Sequence, residues 1–398
     1  MKKILFLLII VSFGCRSNKE SSLKPGSGKE IPILAWYSIP PEQTTLLRYQ
    51  ELKEAGITYN LSFFPDAETM LKALDTAQKA GIKMIVSCPE LKSKTEETVK
   101  RFMNHPAVAG YLLRDEPCRT DFPDLGNWTK KIRAVDDNHF CYLNLFPNYA
   151  NEQQLGTKTY KEHVDLFVAE VPVQLLSFDH YPVVGDSLRS GWYENLEIIS
   201  DAARKSDKPF WAFALSVAHG PYPIPTIAQL RLQVFSDLAY GAQGIQYFTY
   251  WTPYDTTWKF NNGPVTIEGK RTIVYDRVKL VNSEIRSLSY IFLGARVISV
   301  SHTGIKIPTG TKALSELPKP FKTIKTEGKG AVVSVLKNGA NSYLVIVNRD
   351  YINQMQLYVE CDQQVKKIFK DGSSVSANVY QSNTEIEPGD IAIYSWTD

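Results

Sequence analysis

The stretch RLQVFSDLAYGAQGIQYFTYW, residues 231–251, joins a helix to a strand that is apolar along almost its whole length. It predicts a helix over residues 226–240 and a strand over residues 244–251. A strand without regular polar alternation is typical of a parallel sheet that helices cover on both faces. Residues 83–88, KMIVSC, have the same character. The sequence therefore predicts an α/β protein with a buried parallel sheet.

The same strand–helix unit occurs eight times along the chain. Eight such units in about 220 residues are what a (β/α)8 TIM barrel requires. The segment FVAEVPV, residues 167–173, could itself be a strand, which would shift the count of the sixth unit by one. The predicted strands cover residues 33–37, 59–64, 83–88, 108–114, 140–146, 175–181, 210–215 and 244–251.

A second pattern begins near residue 295, where predicted helices end and short alternating strands take over. VISVSH, AVVSVLK, SYLVIVNRD, MQLYVEC, KKIFKDG and IAIYSW are separated by turn residues. This pattern is typical of an antiparallel β-sandwich. We predict a catalytic barrel over residues 31–294 and a C-terminal β-sandwich over residues 295–398. The sandwich carries no cluster of acidic, His or Cys residues, so we expect it to be accessory.

The first 15 residues have the form of a bacterial lipoprotein signal peptide. Lys2 and Lys3 precede an apolar run, residues 4–11, which is too short to span a bilayer as a permanent helix. Gly14 then precedes Cys15, the expected site of lipidation. Residues 16–30 are polar and predict a flexible tether. We expect an exported protein, anchored at the outer membrane or periplasmic side of a Gram-negative cell. The alternative is an ordinary signal peptide in which Cys15 falls by chance.

Composition limits the partners of the chain. Of its 398 residues, 43% are hydrophobic and 22% charged, and the net charge is +3, which gives no sign of a nucleic-acid partner. The remaining four cysteines show neither the spacing nor the His partners of a zinc site. We expect them to be buried free thiols, and we expect no metal and no cofactor. The aromatic share of 12% suits a protein that stacks on sugar rings.

Side chains at the carboxyl ends of the predicted strands are the candidates for chemistry, because TIM-barrel enzymes build their active sites there. These side chains would form an acidic and aromatic cup. The strand ends supply Trp36 and Tyr37 after strand one, Arg114, Asp115 and Glu116 after strand four, Asn144 after strand five, Asp179, His180 and Tyr181 after strand six, and Tyr250 and Trp251 after strand eight.

The strongest of these signals is VAGYLLRDEP, residues 108–117. It places Glu116 at a strand end that Pro117 terminates. Donation of a proton to a leaving glycosidic oxygen needs a carboxyl of this kind, with a pKa raised by burial among aromatic groups. The alternative is a surface ion pair with Arg114 or Arg133.

With these residues in place, the barrel resembles those of glycoside hydrolases. VAGYLLRDEP resembles their Asn-Glu-Pro or Asp-Glu motif at strand four, which implies that Glu116 is the general acid/base. Residues 231–251 resemble the last helix and strand of β-galactosidase-like barrels. The terminal EPGDIAIYSW, residues 387–396, resembles the last strands of the accessory sandwiches that follow many such barrels.

Two departures from that pattern bear on the mechanism. In the retaining enzymes with Asn-Glu at strand four, the nucleophilic Glu ends strand seven, but here the matching position is about Ala214. Asp115 also stands where those enzymes have Asn. An Asp-Glu pair resembles instead the N-acetylhexosaminidases, in which the acetamido group of the substrate attacks and the Asp orients it.

The second carboxylate is open at this point. Asp179 is the first candidate, because strands four and six lie about 10 Å apart at a ~4.8 Å strand spacing and inward-pointing side chains shorten that distance. The resulting separation lies between the values for retaining and inverting glycosidases. Asp179 could equally bind sugar hydroxyls or Tyr181. Glu170 is the next candidate, although it could belong to a connecting loop.

The other residues are candidates for substrate binding. We expect Trp36, Tyr250 and Trp251 to form a stacking floor, although buried aromatics at strand ends need no ligand to explain them. His180 could bind a sugar hydroxyl or be structural, and Arg114 could set the charge of Glu116 or bind an acidic sugar. Tyr37, Asn144 and Tyr181 complete the candidate binding set.

The sequence thus predicts an exported glycoside hydrolase that cleaves O-glycosidic bonds of a carbohydrate with Glu116 as general acid/base. One alternative is a substrate-assisted, N-acetylhexosaminidase-like enzyme that uses Asp115 and Glu116. Another is a non-catalytic barrel that binds glycans, because strand seven lacks a Glu. A metal-dependent hydrolase lacks candidate ligands.

Overall fold

A computed structural model describes residues 29–380 and 384–397. Its first part is a closed barrel of eight parallel strands in the sheet order β5-β4-β3-β2-β1-β8-β7-β6. The barrel closes between the end of β5 and β6. There the Leu145 N–H donates to the Ser177 carbonyl at 2.8 Å, and Leu145 forms a β-bridge with Phe178. The strands are β1 Ile33–Trp36, β2 Tyr59–Leu61, β3 Lys83–Val86, β4 Val108–Asp115, β5 Phe140–Asn144, β6 Leu176–Phe178, β7 Phe210–Leu215 and β8 Gly244–Phe248.

Helices follow the strands and cover the outside of the barrel. Thr159 caps one of them, Tyr160–Glu170, by accepting from the Glu162 N–H at 3.2 Å. That helix includes the first residues of FVAEVPV, so the alternative of a strand there is wrong, and β6 is the sixth strand. The α-helices are α1 Leu46–Glu54, α2 Ala67–Ala80, α3 Glu90–Ser93, α4 Thr95–Phe102, α5 Phe122–Arg133, α6 Glu152–Leu155, α7 Tyr160–Glu170, α8 Trp192–Ser206, α9 Ile227–Ala239 and α10 Ile273–Phe292.

The interior of the barrel is filled by side chains two residues apart along each strand, as the period of a β-strand requires. Leu34 and Trp36 of β1, Phe140 and Tyr142 of β5, and Trp211 of β7 belong to one buried apolar cluster. The alternate positions of the strands pack outward in the larger cluster beneath the helices. The barrel is thus a packed core whose carboxyl end carries the cup.

The C-terminal part is antiparallel and forms two sheets. The six-stranded sheet has the order β9-β11-β12-β17-β14-β15, and the three-stranded sheet has the order β10-β13-β16. The predicted (β/α)8 TIM barrel followed by a C-terminal antiparallel β-sandwich is confirmed. The strands are β9 Arg296–His302, β10 Phe321–Lys325, β11 Ala331–Asn338, β12 Asn341–Asn348, β13 Met355–Cys361, β14 Lys366–Ile368, β15 Ser374–Ser376, β16 Thr384–Ile386 and β17 Ile391–Thr397.

Four charged side chains connect the barrel helices to the sandwich. Arg231 of α9 donates to Glu284 of α10 at 2.5 and 3.1 Å and lies 3.3 Å from Asp390, which immediately precedes β17. Lys370 hydrogen-bonds Asp390 and lies 3.6 Å from Glu284. Glu284 and Asp390 are both buried. Removing one partner of such a group leaves a buried charge uncompensated.

We expect Arg231→Met to lower the free energy of unfolding by about 3 kcal/mol, because Lys370 alone then faces two buried carboxylates. Lys161→Met is the matched control. Lys161 pairs with Asp165 at 2.5 Å, but both side chains are more than half exposed, so the cost should stay below about 1 kcal/mol. Urea unfolding of both variants measures the difference. Equal decreases in the free energy of unfolding for the two variants would show that the buried charges contribute no more stability than an exposed ion pair.

Three further observations concern residues 29–380 and 384–397. None of their helices is long and apolar enough to cross a membrane. Cys141 is a buried free thiol, Cys88 and Cys118 are half-buried free thiols, and Cys361 is buried. No group of three or more His, Cys, Asp or Glu side chains in this part of the chain has the geometry of a metal site. The predicted signal peptide, Cys15 and nearly all of the tether lie outside the described residues.

Candidate active site

Four polar side chains meet at the carboxyl end of the barrel. Asp115 ends β4, Glu116 follows it, Asn144 ends β5, and Asp179 comes directly after β6. These strands are neighbours in the closed barrel, so their ends lie side by side. All four residues were predicted from the sequence as site residues, and the fold brings them together.

A bulge in β4 decides which way its last residues face. Leu112 is in register with Tyr142, but after a shift Arg114 pairs with Leu143 and Asp115 with Asn144. The extra residue reverses the alternation, so that Asp115 lies beside Asn144 on the inner side of the barrel. The bulge therefore supplies the inward carboxylate that strict alternation would have turned outward.

Glu116 adopts a backbone conformation that side-chain-bearing residues rarely take. Its φ is 45°, and its N–H donates to the Asn144 carbonyl at 2.9 Å. Tyr37, at the end of β1, also has φ 45°. A non-glycine residue in this region is strained, and such strain is concentrated at functional sites.

Asn144 links the carboxylates of two strands. Its Nδ2 donates to Asp179 Oδ1 at 2.9 Å and to Asp115 Oδ1 at 3.2 Å. Its Oδ1 accepts from the Ser177 hydroxyl at 2.9 Å. Because the side-chain oxygen of Asn144 accepts from Ser177, its NH2 group faces the two carboxylates. Asn144 therefore favours negative charge on Asp115 and Asp179.

A buried polar network holds Asn144 in this orientation. The Gln246 amide donates to the Ser177 hydroxyl at 2.8 Å, and the Tyr142 hydroxyl contacts the same hydroxyl at 3.0 Å. Tyr142 also donates to the Gln246 side-chain carbonyl. Ser177, Gln246 and Tyr142 are fully buried. A fully bonded network of this kind fixes its members in one arrangement.

All three acids of the cup are easier to protonate than ordinary carboxyls. The protein around Asp115 reduces the solvation of its carboxylate and raises its pKa to about 6, although the side chain remains partly exposed at the mouth of the cup. Burial and the neighbouring Asp115 charge raise the pKa of Glu116 to about 7. Burial, with Glu116 and Asp115 nearby, raises the pKa of Asp179 well above its usual range.

The carboxyl groups of Glu116 and Asp179 lie close enough for each to change the pKa of the other. Two carboxyls in such contact do not both ionise near neutral pH, so the pair shares one proton. Asp179 also accepts from Asn144 and from its own backbone N–H, which favours charge on Asp179. Burial opposes this effect and keeps the pKa of Asp179 well above its usual range, so the two carboxyls share the proton and neither holds it alone.

The two basic residues that could have paired with Glu116 are engaged elsewhere. Arg114 is about half exposed and lies 3.4 Å from Asp121. Arg133 pairs with Asp137 at 2.6 Å. The alternative of a surface ion pair for Glu116 is therefore wrong. Glu170, the other candidate for the second carboxylate, ends α7 and pairs with Arg119 at 2.6 Å, so it does not join Glu116 and Asp179.

Of the three aromatic residues expected to form a stacking floor, only Trp36 faces the interior of the barrel. Trp36 does point inward, 4% exposed, and its ring contacts Tyr142 and Phe213. Tyr250 and Trp251 lie instead in the layer beneath the helices, where Tyr250 contacts Tyr275 and the Arg48 guanidinium lies over Trp251. The prediction failed because β8 ends at Phe248, so strand alternation no longer governs the residues after it.

A different group of aromatic side chains forms one wall of the cup. Tyr181 stacks on Phe248 at 5.6 Å between ring centroids and contacts Tyr222 at 6.0 Å. His219 contacts Tyr222 and Phe260, both at 4.6 Å. Sequence reasoning identified Tyr181 but missed the other three aromatic rings. Two of them lie in long loops, which have no periodicity to reveal where a side chain points.

His180 lies behind this wall. It is 2% exposed, its ring contacts Tyr149 at 5.0 Å, and its Nδ1 has no hydrogen-bond partner within the described chain. Burial, with the nearby positive charge of Arg189, lowers the pKa of His180 to about 3. The imidazole is therefore neutral at ordinary pH. Tyr37 is about one-third exposed beyond the end of β1.

Comparison with known proteins shows that this chain is similar in fold to solved structures. No family model matches the sequence, and neither does a curated protein. The structure of a catalytic mutant of Gan42B, a GH42 β-galactosidase from G. stearothermophilus, matches with a TM-score of 0.66 and 9% identity over 93% of this chain and 99% of that chain. The β-galactosidase from Bacillus circulans sp. alkalophilus matches with a TM-score of 0.62 and 9% identity over the same shares.

A third solved structure matches only the larger part of the chain. It is the β-galactosidase from the psychrophilic Marinomonas ef1, with a TM-score of 0.50 and 13% identity over 65% of this chain and 60% of that chain. The predicted resemblance to β-galactosidase-like barrels with a C-terminal sandwich is confirmed as a resemblance of fold.

Proposed function

We propose that this protein is a glycoside hydrolase with Glu116 as general acid/base and Asp179 as nucleophile. The observation that carries the proposal is the pair of interacting carboxyls at the mouth of the barrel. The pair shares one proton near neutral pH, and the Asn144 amide stabilises the charge of Asp179 when that proton lies on Glu116. Two carboxyls whose environments separate their ionisation are what glycosidic bond cleavage needs.

The close contact of the pair favours a retaining mechanism. Inverting glycosidases hold their carboxyls ~6.5–9.5 Å apart to admit a water, whereas retaining enzymes hold them ~5–5.5 Å apart. Two carboxyls in side-chain contact lie closer together than the inverting range and leave little room for that water. In the first step Asp179 forms a bond to the anomeric carbon while the proton of Glu116 passes to the departing oxygen. In the second, ionised Glu116 takes a proton from water, which displaces Asp179.

Asp179 can also serve as the nucleophile in place of the Glu that strand seven lacks. Ala214 of β7 is fully buried and offers no chemistry. A nucleophile after β6 replaces the missing one, which weighs against a barrel that only binds glycans. All three carboxyls come from the barrel, and this supports an accessory role for the sandwich.

The substrate-assisted alternative has one observation in its favour, because the bulge turns Asp115 toward the cup, where it could orient an acetamido group. Under the retaining proposal Asp115 instead raises the pKa of Glu116. Cleavage of 4-nitrophenyl glycosides of galactose, glucose and N-acetylglucosamine, in both anomers, tests the two. Activity confined to the N-acetylated sugar and lost in Asp115→Asn would favour the alternative, whereas hydrolysis of none would contradict both.

We expect kcat/KM on unactivated glycosides to fall as pH rises through about 7. Glu116 must be protonated to act, its pKa is raised to about 7, and the acid form is therefore lost above that value. The pH profile of Glu116→Gln should lack this alkaline limb, because glutamine does not titrate. A wild-type profile that stays flat from pH 6 to pH 9 would contradict the assignment.

We further propose that the mature protein is exported and anchored through lipid on Cys15. The basic start, the apolar run of residues 4–11 and the Gly14–Cys15 pair support this. Cys15→Ala should move the protein from the membrane fraction to the soluble fraction of cells. A variant that still fractionates with membranes as the wild type does would contradict the proposal.

A further inference from the structure

One positively charged side chain on the cup wall has no acidic partner within the part of the chain that the structure describes. Arg189 lies in the connection between β6 and α8, just after a two-stranded hairpin, Val183–Val184 with Ser187–Leu188. The Arg189 N–H donates to the Pro182 carbonyl at 2.7 Å, which closes the base of that hairpin. The backbone that carries the side chain is therefore fixed.

Two tyrosines hold the guanidinium of Arg189 in one plane. It lies 4.2 Å from the ring centroid of Tyr149 and 5.9 Å from that of Tyr222. Its Nη2 donates to the Tyr222 hydroxyl at 3.1 Å. Stacking fixes the plane, and the hydrogen bond fixes the rotation within it. Such a group loses little further freedom when it binds a ligand.

The charge of Arg189 is not neutralised by the described protein. Across residues 29–380 and 384–397, no carboxylate lies within ion-pair distance of it, whereas Arg114 at the same end of the barrel has Asp121. A guanidinium has five N–H donors, and one hydrogen bond to protein is made here. A half-buried cation with this much unused capacity is typical of a site that receives an anion.

Arg189 also stands close to the reacting groups. Tyr149, on which it stacks, contacts the His180 ring at 5.0 Å, and His180 directly follows Asp179. Asp179 accepts from Asn144, and no ion pair joins Asp179 to the Arg189 guanidinium among the described residues. A cup that holds three carboxyl groups repels an anionic sugar unless a cation offsets them.

We propose that Arg189 binds the acidic group of a charged sugar, a carboxylate or a sulfate ester, and so selects anionic glycosides over neutral ones. This inference rests on the proposed glycosidase function. The planar fork of the guanidinium matches the paired oxygens of either group. It replaces the expectation that Arg114 could bind an acidic sugar, because Arg114 is exposed and already paired.

Matched substrate pairs test this selection. The first pair is 4-nitrophenyl glucuronide and 4-nitrophenyl glucoside, each in both anomers. The second is 4-nitrophenyl N-acetylglucosaminide with and without a 6-sulfate. We expect wild-type kcat/KM to favour the charged member of at least one pair by about ten- to a hundredfold, the range for a hydrogen-bonded charge. The pair that responds distinguishes carboxylate from sulfate.

Variants then assign the preference to the guanidinium. Arg189→Gln should lower kcat/KM for the charged member at least about tenfold more than for the neutral member, and Arg189→Lys should keep part of the preference because it keeps the charge. Lys259→Gln is the control, because Lys259 is an exposed cation in the loop after β8 and its loss should leave the preference unchanged. A merely structural Arg189 would affect both members equally.

The outcomes separate this inference from the function on which it rests. Equal turnover of charged and neutral members by the wild type would overturn the inference and leave the glycosidase proposal intact. If no glycoside is cleaved, calorimetric titration with glucuronic acid against glucose, and with N-acetylglucosamine 6-sulfate against N-acetylglucosamine, replaces the activity assay. Preferential binding of a charged sugar that is lost in Arg189→Gln would support the anion site without hydrolysis. Equal binding, or none, would overturn it.

Discussion

Glu116→Gln is expected to lower kcat/KM on unactivated oligosaccharides by about 10²–10⁴-fold, the contribution of a well-placed proton donor. The leaving sugar oxygen needs a proton to depart, and an amide cannot supply one. Glutamine has the shape of glutamate, and its N–H can still donate to Asp179, so the fold and the position of Asp179 should be kept. The measurement is steady-state kinetics of the two proteins on the same oligosaccharide.

The same variant should spare bond breaking in aryl glycosides, because 4-nitrophenolate departs without protonation. A rapid burst of 4-nitrophenol followed by slow turnover would reveal an intermediate that accumulates when the base is missing. Glu96→Gln, an exposed substitution of the same type in α4, is the control and should leave both activities unchanged. A Glu116→Gln enzyme that cleaves unactivated sugars at the wild-type rate would exclude Glu116 as the acid.

Asp179→Asn is expected to abolish cleavage of both substrate classes, by more than the ~10²–10⁴-fold that a proton donor contributes. The nucleophile is needed whether or not the leaving group is activated, and asparagine carries no charge with which to attack the anomeric carbon. Asn144 can still donate to the side-chain oxygen at position 179, so the loss should come without a loss of fold.

Asp124→Asn, an exposed Asp of α5, controls for the substitution and should leave activity unchanged. Far-ultraviolet circular dichroism and the urea midpoint check the folding of each variant. If Asp179→Asn retained activity on N-acetylated sugars while Asp115→Asn lost it, the acetamido group of the substrate would be the nucleophile. Comparable residual activity of Asp179→Asn on all sugars would show that Asp179 only binds hydroxyls.

The barrel could be predicted from the sequence because its strands are buried on both faces, so continuous apolar runs such as KMIVSC mark them directly. The ends of the strands were less predictable. The predicted eighth strand runs to Trp251 but the sheet ends at Phe248, since an apolar run continues into the layer beneath the helices. That difference of three residues is why Tyr250 and Trp251 were placed in the cup.

The catalytic candidates were predictable for a related reason. Asp115, Glu116, Asn144 and Asp179 each stand at or just after a strand end, where position along the chain fixes position in the barrel. Arg189 was not predictable, because it reaches the cup from a loop. Its place depends on contacts with Tyr149 and Tyr222 that are distant in sequence. The inward position of Asp115 likewise depends on a bulge in β4 that no local pattern marks.

The most direct test of the account is to find the carboxyl that becomes bonded to sugar. A 2-deoxy-2-fluoro glycoside with a good leaving group, made from whichever sugar the aryl panel identifies, slows the second step and lets the covalent intermediate accumulate. Mass spectrometry of the intact protein and its peptides then locates the adduct. We expect one sugar esterified to Asp179 in the wild type and none in Asp179→Asn. An adduct on any other carboxyl, or turnover of the parent glycoside with inversion and no adduct, would contradict it.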